Sequence, residues 1–248
     1  MTQGSADRPR MLVVVHQDHA GPGRLGDFGA DLDLRRPDRG DPLPADLSGY
    51  HGMLVLGGSM AAWEDDVAAW LAPTRRLLAL AVEERVPTLG ICLGAQMLAL
   101  ATGGQVERGT AGLEVGYVEV ELLDAVRDDR LLGPVHERFG TRVGVPQWHQ
   151  DAIVTLPPGA VRLASGDRYP NQAFRIGEAA WGLQYHPEVT VVDWQDWMDD
   201  WHGSVTHDGL DPVAVMARMA AAQPQLALLA QAHSEAFAQV LLGARQPG

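Results

Sequence analysis

Short apolar runs alternate with amphipathic segments over the first hundred residues of the chain. Buried strands are predicted at residues 11–15, 53–56 and 86–91, because each is short and rich in apolar or β-branched residues. Helices are predicted at residues 73–84, where leucines recur at helical spacing, and at residues 95–101. Strands that alternate with helices in this way predict an α/β fold, a mostly parallel, doubly wound sheet with helices on both faces.

A different pattern occupies the middle of the chain. Polar and apolar residues alternate over residues 114–122, 141–145 and 160–164. Alternation of this kind predicts half-buried strands, so we expect a small antiparallel section beside the parallel core. An edge strand is expected at residues 31–35, and the last clear strand at residues 179–185.

The pattern turns helical after residue 190. Three tryptophans, Trp194, Trp197 and Trp201, fall on one face of the first predicted helix. Two more helices are expected over residues 211–222 and 224–242. We expect the tryptophan face to pack on the sheet, and the alternative is a surface that docks a partner.

No convincing linker divides the chain, so we expect one unit with an appendage. Residues 1–190 are expected to form the α/β domain, with residues 1–10 as a loose tail. Residues 191–248 are expected to form a C-terminal helical extension packed on the same domain, because isolated helices of this length are marginal in water.

Composition narrows the class of partner and the compartment. The chain has 248 residues and a formal net charge of −13, which argues against nucleic acid and anionic membranes as partners. It has no apolar run of 18 residues and begins with polar residues, so neither a transmembrane helix nor a signal peptide is expected. We therefore expect a cytoplasmic protein whose cysteine stays reduced. No cofactor or metal is expected, because the Asp and His residues between positions 193 and 208 are typical of a solvated face.

The only cysteine, Cys92, stands where a predicted strand meets a predicted helix. Glycines at positions 90 and 94 suit a sharp turn in which a Cβ would collide with the neighbouring element. Such a nucleophile elbow presents its side chain beside backbone N–H groups at the start of the helix, and these groups can stabilise an oxyanion. The alternative is a buried structural cysteine.

A cysteine nucleophile needs a base, and His186 is the best placed of the nine histidines. It follows the last predicted strand, so it lies with Cys92 at the carboxyl edge of the sheet. Glu188, two residues later, is close enough to orient the imidazole. The rival base is His149, with Asp151 as its orienting carboxylate.

The segment Gly-Ile-Cys-Leu-Gly-Ala-Gln at residues 90–96, together with His-Pro-Glu at residues 186–188, resembles the class I glutamine amidotransferases, which use a Cys-His-Glu triad. Residues 57–58, 148–151 and 171–174 also resemble that family. The resemblance covers roughly residues 11–190, and the nearest likeness is to stand-alone members related to the amidotransferase part of GMP synthase.

The resemblance implies a role for each matching residue. Cys92 attacks the side-chain amide of glutamine, His186 transfers protons, and Glu188 orients His186. The backbone N–H groups of Gly58 and Leu93 form the oxyanion hole. The residues implied to bind the rest of the substrate are Gly57, Gln96, Trp148, His149 and Gln150.

Two positions depart from the family pattern. Ser59 replaces a common proline, and Trp148 stands where a small or polar residue is usual. Trp148 either packs as an ordinary apolar residue or adds an apolar face on which an extended leaving group could stack.

The leading interpretation is a glutaminase that hydrolyses glutamine through a cysteine thioester. Its ammonia would pass to a separate synthetase, because the chain contains no phosphate-binding loop of the Gly-x-x-x-x-Gly-Lys type. The second interpretation is a γ-glutamyl peptidase or hydrolase that acts on a γ-glutamyl conjugate. The third, outside enzymes, is a regulatory binding protein with a relic triad.

Overall fold

A computed structural model describes residues 8–244 of the chain. The helices in this part are α1 (Leu71–Glu83), α2 (Leu93–Ala101), α3 (Gly133–Phe139), α4 (Val191–His207) and α5 (Pro212–Ala244). The strands are β1 (Arg10–Val14), β2 (Asp31–Arg35), β3 (Gly52–Val55), β4 (Thr88–Ile91), β5 (Gln105–Arg108), β6 (Glu114–Leu122), β7 (Arg142–His149), β8 (Asp151–Thr155), β9 (Val161–Ser165), β10 (Ala173–Ile176) and β11 (Ala180–Leu183).

The main sheet joins a parallel half to an antiparallel half. Its strand order is β2-β1-β3-β4-β11-β10-β9-β6-β7, and the first five strands are parallel to one another. The remaining neighbours pair in antiparallel fashion, and β5 and β8 form a separate antiparallel pair. The predicted fold class is confirmed, and β2 is the edge strand that the sequence predicts.

The parallel strands are buried on both faces. In β1, Met11 and Val13 belong to one core cluster and Leu12 and Val14 to another, and all four are fully buried. The first cluster also holds side chains of α4 and α5, and the second holds side chains of α1 and α2. Burial on both faces explains why these strands are continuously apolar rather than alternating.

Sequence-based prediction missed β5, β8 and β10. Two of them, β5 and β10, have only four residues, too few for alternation to be recognised. β7 continues to His149 rather than ending at residue 145, which brings Trp148 and His149 to a strand end. The expectation of a loose tail over residues 1–10 is wrong for Arg10, which belongs to β1; residues 1–7 lie outside the described part of the chain.

The two helices predicted over residues 211–222 and 224–242 are a single helix, so that expectation is wrong. Pro224 lies inside α5 and is exposed to solvent. A proline inside a helix costs about 3 kcal/mol through its missing donor and its ring clash. Met219 and Leu226, on either side of Pro224, are buried in the same core cluster, so continued burial of one apolar face offsets that cost.

By length and composition α5 could also cross a membrane, with a mean hydropathy of 1.3 over its most apolar window. Core helices of globular domains meet the same criterion. One face of α5 is buried against the rest of the chain and includes Phe237, and 33% of the most apolar window is buried.

Phe237 should be a strong anchor for α5. Its ring is fully buried, and its centroid lies 5.4 Å from that of Phe28 and 6.4 Å from that of Trp181. Because the substitution removes buried area and leaves a cavity, Phe237→Ala should lower the free energy of unfolding by about 3–5 kcal/mol. Leu242→Ala, at a half-exposed position of the same helix, is the control and should cost far less. Denaturant titration measures both, and a loss below about 1 kcal/mol for Phe237→Ala would contradict a C-terminal extension integral to the domain.

A buried histidine on α5 should make stability depend on pH. His233 donates from Nδ1 to the Leu229 carbonyl at 2.8 Å, so its Nε2 accepts from the Tyr185 hydroxyl at 2.9 Å. Burial lowers the pKa of His233 to about 4. Since the unfolded value is about 6.5, the stabilisation is fully present above pH 6.5 and is lost as the pH falls towards 4.

His233→Gln should therefore weaken this acid sensitivity by up to about 1.4 kcal/mol per pH unit between pH 6.5 and 4. Burial lowers the pKa of His16 to about 4 as well, so part of the dependence should remain in the variant. Denaturation midpoints at pH 7 and pH 4.5 measure the slope. An identical slope in the variant and the parent would show that His233 is not held neutral by the fold.

Candidate active site

Three loops meet at one edge of the sheet. β4 lies between β3 and β11, and all three strands are parallel, so their carboxyl ends are neighbours. Gly57 and Gly58 follow β3, Cys92 follows β4, and His186 follows β11. The fold thus brings together residues that are far apart in the sequence.

Cys92 occupies a tight turn between β4 and α2. Its backbone has φ 50° and ψ −107°, in a region that disfavours side chains. A Cβ at position 90 would lie 2.6 Å from the carbonyl oxygen of Gly94, and a Cβ at position 94 would collide with the carbonyl oxygen of Val55. Glycine is therefore required on both sides of the cysteine, which is the physical reason for the Gly-x-Cys-x-Gly pattern.

His186 and Glu188 form a buried pair beside the cysteine. His186 Nδ1 lies 2.7 Å from Glu188 Oε1, and both side chains are about 4% exposed. Within residues 8–244, His186 Nε2 has no hydrogen-bond partner. A methyl group on Gly57 would lie 3.1 Å from His186 Cε1 and 3.7 Å from Cys92 Cβ, so the imidazole and the cysteine border the same small space.

Neighbouring charges hold a proton on His186. Burial alone would lower the pKa of this imidazole, but Glu188 and Cys92 outweigh burial and raise the pKa to about 10. At neutral pH the histidine therefore carries a positive charge.

Gly58 and Leu93, the two residues expected to supply the oxyanion hole, lie near each other. Leu93 is the first residue of α2, so its N–H has no acceptor within the helix. A Cβ at Gly58 would lie 2.8 Å from Leu93 Cδ2, which shows how closely the two residues approach. Neither N–H donates to an acceptor within the described residues. Free N–H groups beside a nucleophile can stabilise an oxyanion.

Cys92 opens into a cavity of about 190 Å³. Several residues expected to form the site line this cavity: Gly58, Cys92, Gln96, Trp148, His149, Gln150 and His186. Gly57, Leu93 and Glu188 are not among the residues that line it. The Cys92 sulfur lies 3.9 Å from the backbone carbonyl oxygen of Trp148, so β7 forms the side of the cavity nearest the sulfur.

Gln96 and His149 are held in place by the protein. Gln96 Nε2 donates to the Asp151 carbonyl oxygen at 2.9 Å. The ring nitrogens of His149 each lie 3.0 Å from an oxygen, one on the Glu114 carboxylate and one on the Asp151 backbone. The Asp151 carboxylate pairs with Arg108 at 2.9 Å rather than with His149. With both ring nitrogens engaged, His149 is poorly suited to be the base.

The tryptophans of α4 both pack and line the cavity. Trp194 and Trp197 are 1% and 8% exposed and pack in the core, as expected. Trp197 and Trp201 line the cavity, and Trp201 is 43% exposed. Trp201 has non-helical backbone angles at a kink in α4, which helical spacing in the sequence does not reveal. Sequence reasoning therefore missed this wall.

The family model for glutamine amidotransferase class-I matches residues 23–198. The chain belongs to this family. Among residues 8–244 of this amidotransferase no group of three or more His, Cys, Asp or Glu side chains could hold a metal ion.

Relatives of this amidotransferase include longer proteins. GMP synthase [glutamine-hydrolyzing] of Porphyromonas gingivalis is 35% identical over 150 residues, which are 59% of this chain and 26% of that protein. Gamma-glutamyl peptidase 5 of Arabidopsis thaliana is 31% identical over 166 residues, which are 66% of this chain and 64% of that protein. The chain thus spans about a quarter of the first relative and less than two thirds of the second.

The crystal structure of a glutamine amidotransferase from Thermotoga maritima resembles this amidotransferase over most of its length. The TM-score is 0.81 at 28% identity, covering 94% of this chain and 99% of that one. Because the family match ends at residue 198, this structural likeness includes part of the C-terminal helices.

Proposed function

We propose that the protein is an enzyme that hydrolyses γ-glutamyl amide bonds with Cys92 as the nucleophile. Membership of the class-I amidotransferase family supports the reaction class. One observation carries the assignment of roles: the buried His186–Glu188 pair borders the same space as the only cysteine, which sits in a strained turn. A relic triad in a binding protein would not need to keep this geometry.

In the proposed reaction the Cys92 thiolate attacks the amide carbon, and the N–H groups of Gly58 and Leu93 stabilise the resulting oxyanion. His186 gives its proton to the leaving nitrogen as the C–N bond breaks, and a γ-glutamyl thioester remains. Water then attacks the thioester while His186 accepts a proton from it. Glutamate is released, the thiolate re-forms, and Glu188 holds the imidazole in place throughout.

Glutamine is the first candidate substrate, because it is the simplest γ-glutamyl amide and the family is named for it. The released ammonia would then serve a synthetase on a separate partner. This part of the proposal draws on the likeness to a glutamine-hydrolysing GMP synthase, of which the chain spans only 26%. A cytoplasmic setting would keep the thiolate reduced.

A γ-glutamyl conjugate is the second candidate substrate. Trp148 lines the cavity with its backbone carbonyl oxygen 3.9 Å from the Cys92 sulfur, and its ring packs edge-to-face on Trp194 and Trp197. Free glutamine needs no such ring. The likeness to a γ-glutamyl peptidase points the same way.

Glutamate release by the purified protein tests the proposal, with glutamine and a set of γ-glutamyl amides and peptides as substrates. A preference of about 100-fold for a conjugate, equal to about 2.7 kcal/mol, would identify a conjugate hydrolase. Negligible turnover that a cell extract restores would identify a partner-dependent amidotransferase. No glutamate release under any of these conditions would refute the enzyme assignment.

A further inference from the structure

The C-terminal extension supplies part of the cavity wall. Trp197, Trp201 and Ser204 of α4 line the cavity together with Cys92 and His186, and the Trp197 ring centroid lies 4.9 Å from that of His186. Two of the three, Trp201 and Ser204, lie beyond residue 198, where the family match ends. This wall is therefore built partly from residues outside the matched segment.

The aromatic part of the wall is rigid on one side and open on the other. The Trp148 ring centroid lies 5.0 Å from that of Trp194 and 6.0 Å from that of Trp197, with both pairs edge-to-face. Trp197 is fixed further by a hydrogen bond from its indole nitrogen to the His19 carbonyl oxygen, at 2.8 Å. Trp201, by contrast, is 43% exposed and makes no ring contact within the described residues, so an aromatic face is left open at the mouth.

The charged side chains of the wall are already paired. Arg108 and Asp151 pair with each other at 2.9 Å, and His149 lies 3.0 Å from Glu114. His186 pairs with Glu188, so none of these charged lining residues lacks a partner among the described residues. A leaving group with its own charge would therefore lose hydration without gaining a partner, whereas an uncharged flat ring would not.

A second cavity adjoins the one into which Cys92 opens. This second cavity, of about 370 Å³, shares Leu113, Gln150 and Ser204 with the first, and it continues along α4 to His207. The shared residues border both cavities, so the two adjoin, and together we call them the groove. A leaving group larger than ammonia could lie in this groove.

We propose that the leaving-group side of the site binds an uncharged aromatic ring, so that the substrates are γ-glutamyl amides of aromatic amines. The ring stacks on the open face of Trp201 and against Trp148 and Trp197. This inference rests on the proposed function. The same bonds form and break as in glutamine hydrolysis. The S–C bond to Cys92 forms, the C–N bond to the amine breaks, and His186 protonates the amine. Water then hydrolyses the thioester and glutamate is released.

Two substrates that differ only in the ring provide the test. The amines of γ-glutamyl phenethylamide and γ-glutamyl ethylamide have similar basicity, so their intrinsic leaving ability is similar. We expect kcat/KM to favour the phenethylamide at least about tenfold, equal to about 1.4 kcal/mol. Trp201→Ala should remove most of that preference and Trp201→Phe should keep most of it, because a phenyl ring still offers a stacking face.

The matched control is Trp63→Ala. Trp63 is 42% exposed, almost the same as Trp201, and does not line the cavity. Its replacement should leave the preference unchanged. Thermal unfolding of all three variants checks that they remain folded.

Each outcome is decisive. Turnover of both amides without preference for the phenethylamide would overturn the inference and leave the proposed function intact. A preference that survives unchanged in Trp201→Ala would also overturn it. If Trp201→Ala affects only stimulation by a cell extract, the exposed tryptophan docks a partner and the inference is wrong. No glutamate release from either amide or from glutamine would overturn the inference together with the proposed function.

Discussion

Cys92→Ala is expected to abolish glutamate release, with a loss in kcat of roughly 10⁴-fold or more. The reason is that the thioester cannot form without the sulfur, and the oxyanion hole and binding groups retain only the small residual catalysis that positioning gives. Initial rates with saturating substrate measure the effect.

Cys92→Ser is the matched control for structure. The hydroxyl is close in size to the thiol, and serine tolerates the strained backbone of this turn as well as cysteine does. Because Cys92 is almost fully buried, both variants must be shown to fold, by comparing their denaturation midpoints with that of the parent. Near-normal turnover in either folded variant would refute the assignment of Cys92 as the nucleophile.

His186 and Glu188 should contribute unequally. His186→Ala removes the group that moves the protons, so its loss should approach that of Cys92→Ala. Glu188→Gln keeps the size of the side chain and an acceptor oxygen and removes only the charge, so its loss should be smaller, on the order of 10²- to 10⁴-fold. The variant that combines His186→Ala with Glu188→Gln should lose no more activity than Cys92→Ala, because the three residues act as a unit.

The pH profile separates an orienting role from a purely structural one. The Glu188 carboxylate is one of the two groups that raise the pKa of His186 to about 10. With the charge removed, burial prevails and the pKa of His186 falls. The alkaline limb of kcat/KM should therefore move to lower pH in Glu188→Gln. An unmoved limb, or losses that add fully across the three residues, would contradict the proposed division of roles.

The position of the candidate nucleophile and base was predictable because both depend on local sequence and on one rule of topology. The glycines at positions 90 and 94 mark the turn at Cys92, and the apolar run before His186 marks a buried strand. Parallel strands end at one edge of a sheet, so two such motifs meet without further information. The antiparallel section was predictable for the same kind of reason, since alternation is a local signal.

The cavity wall was not predictable, because it depends on how distant elements dock. Helical spacing places Trp194, Trp197 and Trp201 on one face, but the kink at Trp201 turns that residue out of the core and towards the cavity mouth. One ring nitrogen of His149 lies near Glu114, which is distant in sequence, so the sequence does not reveal that both ring nitrogens have partners. Pro224 led to the prediction of two helices, whereas packing on both sides of it keeps α5 continuous.

The most direct test of the central claim is covalent labelling by a glutamine-like chloroketone, followed by intact and peptide mass spectrometry. The proposal predicts one adduct per chain, located on Cys92 and slowed by an excess of a γ-glutamyl amide. The adduct should be absent from Cys92→Ser and should form much more slowly in His186→Ala, where no imidazolium stabilises the thiolate. An adduct on another residue, or none on the folded protein, would contradict a Cys92-dependent γ-glutamyl hydrolase.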